Sequence, residues 1–336
     1  MIRHLKLPDK LDLFHILQFA HKIDRIGKTD EVVVELGRTR HFPPFSMLFL
    51  AAKFLELKEA NPDLKITAVG GEEHTYPGHM GFFKAIGVPI GMDIGEAPGS
   101  ARYLPIRALY REDLKRQDRY AELGDLIQKH ADEIAEMVSR DASHKTDLFN
   151  ALSYSLREII RNAFEHSECD RVLYCGQYWP MSSKVEVSIL DRGIGIRQSL
   201  GTNPNFRYGT DKQALEMSLL PSVSGKTHLP ARSETWGNSG YGLYMTSRLC
   251  RHGGNFVIAS GNAAIGLSKT LEKKNFNTSL QGTAVRMNID TLEIGSVEAR
   301  LEQFRKEAPQ IAKTHLGRAP RNPSYMSMLL RKDFRS

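Results

Sequence analysis

A chain of 336 residues with 41% hydrophobic and 25% charged side chains can bury a sizeable core, and its length points to two domains rather than one. The net charge of +7 permits an acidic partner or nucleic acid, but the lysines and arginines are scattered, read as solvated surface charge, and assign neither. The opening MIRHLKLPDK lacks the apolar run of a signal peptide, and the most apolar stretch, FSMLFLAAKFLEL, is broken by Lys53 well short of a membrane span. A cytoplasmic location with no membrane contact is expected. Cys169, Cys175 and Cys250 have neither CxxC spacing nor a histidine cluster, so they read as reduced packing residues.

From residue 31 to 90 the element types alternate. EVVVEL reads as a buried strand, PFSMLFLAAKFLELKEAN as an apolar helix, LKITAVG as a second strand and HMGFFKAIG as a short helix ended by glycine, together a small α/β domain. This order, closing on IGVP, resembles the STAS domain of sulfate transporters and anti-sigma-factor antagonists over about residues 8 to 92. The antagonists carry an Asp-Ser pair, the serine phosphorylated, where this chain has RTRHFPPFSM. Ser46, the nearest hydroxyl, reads as a helix N-terminal residue instead. Residues 111 to 147 are charged and helical, with Leu123, Ile127, His130, Ile134, Met137 and Val138 three or four apart, and read as a helical linker. His130 invites comparison with the phosphoaccepting histidine of sensor kinases, yet KHADEIAEM lacks the Arg-Thr-Pro that follows that histidine.

The second half carries the chemistry. In LREIIRNAFEHSE, helical spacing places Leu152, Leu156, Ile159, Ile160, Ala163 and Phe164 on one side and Glu158, Asn162, Glu165 and His166 on the other. Two strand-like runs follow, RVLYCGQY and KVEVSIL, the second ending in DRGIGI, so Asp191, Gly193 and Gly195 sit on a turn. GNSGYGLYMTSRLCRHGG then sets Gly237, Gly240 and Gly242 before an apolar helix, where bare backbone N–H groups at a positive helix end suit a polyphosphate. GTAVRMNI offers a glycine-threonine turn, with Thr283, entering another strand.

In this order the four segments match the boxes of the GHKL ATP-binding domain, the superfamily of gyrase, the ninety-kilodalton heat-shock chaperones, histidine kinases and MutL. The resemblance covers about residues 148 to 290 and implies a cofactor, ATP, with Mg²⁺. It implies that Asn162 holds Mg²⁺ and that Glu158 orients or deprotonates the attacking water. Asp191 would accept a hydrogen bond from the adenine amino group, with Gly193 and Gly195 letting the base approach the backbone. Gly237, Gly240 and Gly242 would wrap the phosphates, Thr283 would support the base pocket, and His166 would lie near the phosphates or be a satisfied histidine. Residues 197 to 236 would be an ATP lid with little apolar anchorage, in which Lys226 and Arg232 are either phosphate contacts or solvated charges.

The expected fold is therefore α/β (α+β): a STAS-like α/β domain over 1–110, the helical linker over 111–147, a Bergerat-fold sandwich with a mixed sheet over 148–290, and a C-terminal helix with a basic tail over 291–336. With about 45 residues after Ile289, the second large domain that follows this one in gyrase and MutL is not expected. The implied function is a Mg-ATP-binding regulatory protein, a slow ATPase whose lid closure switches contacts with the STAS-like domain, a protein partner or a homodimer. The alternatives are a serine/threonine kinase of the anti-sigma-factor type and a nucleic-acid-associated ATP switch.

Overall fold

The first five elements are β1 (Ile2–Lys6), α1 (Leu13–Asp24), β2 (Glu31–Glu35), α2 (Pro44–Ala60) and β3 (Lys65–Val69). They form two successive β-α-β units. The strands make a sheet of order β1-β2-β3 with both ladders parallel. Asp12 caps α1 by accepting the His15 N–H at 3.1 Å. Two short helices, α3 (Thr75–His79) and α4 (Phe82–Ala85), then lead across the molecule. The structure is a computed structural model that describes residues 1–118, 121–226, 239–270 and 272–317, with Pro323 and Leu330.

The remaining elements build the larger part. They are β4 (Tyr103–Tyr110), α5 (Arg111–Gln117), α6 (Leu123–Ser139), α7 (Asp147–His166), β5 (Arg171–Trp179), β6 (Lys184–Asp191), α8 (Gly195–Gly201), α9 (Asp211–Ser218), α10 (Gly242–His252), β7 (Gly254–Ser268), β8 (Lys273–Asp290) and α11 (Val297–Leu316). The five strands form one sheet of order β4-β5-β6-β8-β7, and every ladder in it is antiparallel. This corrects the mixed sheet expected from the sequence. β6 and β7 do run in the same direction, but β8 lies between them, so no two parallel strands meet.

The sequence boundaries do not coincide with those of the two sheets. β4 falls within the 1–110 segment yet pairs with β5, and α6, read as linker, buries Ile127, Ala131, Ile134 and Val138 in the core under the antiparallel sheet. α11 carries the chain to Leu316; beyond it, Leu330 is buried in that same core, and the rest of the expected basic tail lies outside the described residues.

Strand alternation gives the antiparallel sheet two working faces. Val185, Val187 and Ile189 of β6 share a core with α6, α7 and α10, whereas Leu190 shares one with α2. Over 44–54 α2 is buried on every side because it lies between two sheets. Its Phe45, Phe49, Leu50 and Phe54 join Val32, Val34 and Ile66 of the parallel sheet to Leu173, Cys175, Val257, Ala259 and Ala284 of the antiparallel one. Glu186 of β6, 2% exposed, registers the layers: it accepts the Phe45 N–H at 3.0 Å and pairs with Arg286 at 3.0 Å. Among the described residues no helix is long and apolar enough to cross a membrane.

Candidate functional site

A cleft opens where α7 and the start of α10 lie over the front of the antiparallel sheet. Its floor follows from alternation: Ile189 and Asp191 of β6, Thr283 and Val285 of β8, and Ile258 of β7 all point forward. One wall is the polar side of α7, which contributes Glu158, Asn162 and His166; the other is Ser239, Gly240, Tyr241 and Gly242. Of the ten residues chosen from sequence, eight line this cleft: Glu158, Asn162, His166, Asp191, Gly195, Gly240, Gly242 and Thr283. Gly237 and Arg232 lie outside the described residues.

Gly193 stands apart from the cleft. A Cβ there would collide with the Ser167 carbonyl, whose oxygen also accepts the Ile194 N–H at 2.8 Å. Its missing side chain lets the turn pack against the end of α7. Lys226 likewise turns to the Glu165 carbonyl and does not line the cleft.

Asp191 is nearly buried, at 6% exposure, at the base of the cleft. Burial pushes its carboxyl up to about 6, against the opposing effect of the Gly193 N–H, which it accepts at 2.9 Å, and of bonds from the Ser167 side chain and the Thr283 backbone. A buried carboxylate held this way keeps acceptor capacity for a donor arriving in the cleft.

Asn162 is half-buried, and among the described residues its carboxamide enters no hydrogen bond. Glu158 differs. It is 3% exposed, and its Oε1 accepts from Arg157 Nε at 3.2 Å and Nη2 at 3.1 Å. Its Oε2 faces the first residue of α10, where a Cβ on Gly242 would stand 2.5 Å away. Only glycine leaves room for that carboxylate against the helix start, and no side chain caps α10 there.

Sequence reasoning missed Arg157, the largest fully buried side chain among the described residues. Its Nη1 donates to Gln128 at 2.9 Å and its guanidinium stacks over Tyr154 at 4.9 Å. Gln128 is in turn set by Asp132 at 2.8 Å and Ser153 at 3.0 Å, so α6 reaches Glu158 through a buried polar chain. The i, i+4 pair Gln128 and Asp132 in the supposed linker was the available signal. Ser260 was also missed, although it continues the alternation of Phe256 and Ile258. It accepts the Ile196 N–H at 3.0 Å and donates to the Gly282 carbonyl at 2.7 Å, tying α8 to β8 beside Thr283.

His130 packs edge-on against Tyr174 and hydrogen-bonds its hydroxyl at 3.1 Å, with burial lowering its proton affinity. Over 197–226 the expected lid has an anchor after all: Leu200, Phe206, Ala214 and Val223 form a small core of their own, and Asn203 fixes the Ser224 carbonyl at 3.0 Å. Compared with models of known protein families and with curated proteins, the chain finds no match in either.

Proposed function

We propose that the protein is a Mg-ATP-binding regulator of the GHKL type, a slow ATPase whose nucleotide biases the 197–226 segment and its contacts with the N-terminal layer or a partner. The observation that supports this reading is convergence. Four separated segments, around 158–166, 191–195, 240–242 and 283, meet at one cleft, and each supplies a group suited to a different part of the nucleotide.

Asp191 suits the exocyclic amino group of adenine, and a carboxylate there would oppose the carbonyl that guanine carries instead. Ile189, Ile258 and Val285 offer apolar surface to a planar base. The uncapped start of α10 suits phosphate oxygens. Asn162, with its uncommitted carboxamide oxygen, suits Mg²⁺ shared with phosphates and water. When bound, that ion supplies charge neutralisation on the phosphates. Glu158 has one oxygen committed to Arg157, which leaves Oε2 to orient a water beside the α10 start. The N-terminal layer, STAS-like in its strand and helix order, is what such a switch would act on, since α2 packs on the back of the same sheet.

Incubation with γ-labelled ATP and Mg²⁺ tests the reading. Label should leave the wild type slowly as free phosphate, and Glu158→Gln should keep nucleotide bound while losing release by about a hundredfold. Label arriving on a protein hydroxyl would make the protein a kinase of the anti-sigma-factor type. A protein that neither binds nor cleaves ATP would overturn the reading.

A further inference from the structure

Two segments close the base end of the cleft: the turn 191–195, which leaves β6, and a bulge at 281–283 within β8. They touch each other. Asp191 and Thr283 are register partners, and a Cβ on Gly282, whose φ is +93°, would collide with the Asp191 carbonyl. Both segments are gripped from behind by α2. Arg192 points away from the cleft and places its guanidinium on Glu59 in a bidentate pair, Nη1 to Oε1 at 2.6 Å and Nη2 to Oε2 at 2.6 Å. Nη2 also donates to Gln281 Oε1 at 3.1 Å, and the Gln281 N–H donates to Glu56 Oε1 at 2.9 Å.

Glu56 and Glu59 are three residues apart and so share one face of α2. Glu56 is held by Lys53, 1% exposed, whose ammonium also pairs with Asp24 of α1 and donates to Ser279 at 3.3 Å. An isolated surface pair would contribute little, but a bidentate guanidinium–carboxylate pair inside a shared network keeps its geometry. The network ends on the two residues next to Asp191 and Gly282, and none of its members lines the cleft floor.

We infer that α2 controls the nucleotide cleft: Glu59 and Glu56 are positioning residues that set where Asp191 and Thr283 stand, and the N-terminal layer thereby regulates affinity for the base. The inference rests on the ATP reading. Coupling of this kind is reciprocal, so nucleotide in the cleft tightens the end of α2 as much as α2 tightens the nucleotide.

The test is a titration of the full chain with ATP and with GTP, in the presence of Mg²⁺. Glu59→Gln should weaken ATP about fivefold or more and narrow the ATP to GTP preference, because the grip acts at the base end. The charge-swapped pair Glu59→Arg with Arg192→Glu should restore most of the preference. A merely structural pair would lower the melting temperature of Glu59→Gln and leave the preference unchanged, which would overturn the inference. Equal ATP binding by wild type and Glu59→Gln would overturn it alone; a wild type that binds no ATP would overturn the nucleotide reading and this inference with it.

Discussion

The two faces of the antiparallel sheet are made from alternate residues of the same strands, yet the back is sealed and the front is open. On the back, small side chains such as Cys175, Ala259 and Ala284 let α2 settle flat, and α2 brings apolar side chains to meet them. On the front, α7 seals the sheet only where it is apolar. Where it turns Glu158, Asn162 and His166 toward the end of β6 and the middle of β8, the facing positions are Asp191 and Thr283, and a cleft remains. The site lies where the apolar pattern of both partners breaks at the same level, as expected where local rules yield to function.

The sealed face is the first place to break this comparison. Phe49 is fully buried and stacks on Phe45 with centroids 5.6 Å apart. Phe49→Ala should lower stability by about 3 to 5 kcal/mol in urea denaturation. A loss under about 1 kcal/mol would mean that α2 does not seal the back.

The open face carries its charge in a buried pair. Arg157→Met strands Glu158 and should cost about 3 to 5 kcal/mol, whereas Arg157→Met combined with Glu158→Leu should cost clearly less, since no unpaired charge stays buried. Denaturation of Arg157→Met, Glu158→Leu and the double variant measures this. Simple additivity of the two substitutions would contradict the pairing.

How much of this was legible in sequence follows the range of each interaction. Every cleft segment is local, a helix face or a glycine turn within a dozen residues, so Glu158, Asn162, Asp191 and Gly242 could be read directly. The α2 grip joins residues 133 and 225 positions apart, and no periodicity announces such a pair. Strand order is equally non-local, which is why the segment 1–110 takes in β4, a strand of the other sheet, and why that sheet was read as mixed. The contact of Gly193 with the Ser167 carbonyl was not legible, since a glycine signal shows that something approaches without showing what.

A smaller effect sharpens the contrast at Asp191. Its folded carboxyl titrates at about 6, above the ordinary 3.8 that it regains on unfolding, so its contribution to stability is full below about pH 4 and lost as pH rises through 6. Asp191→Asn should therefore stabilise the nucleotide-free protein at pH 8 by about 1 to 3 kcal/mol, with the gain shrinking at pH 5. Chemical denaturation at the two pH values measures it. A variant less stable than wild type at pH 8 would show that Asp191 serves the fold and not a ligand.

The central claim, that this cleft holds the base of ATP against Asp191, is tested most directly by calorimetric titration of wild type and Asp191→Ala with ATP and Mg²⁺ near pH 8, where Asp191 is ionised. The wild type should bind ATP, and the variant should bind it tenfold or more weakly, the scale of losing a buried hydrogen bond worth about 1 to 3 kcal/mol. Equal affinity in the two proteins would contradict the account.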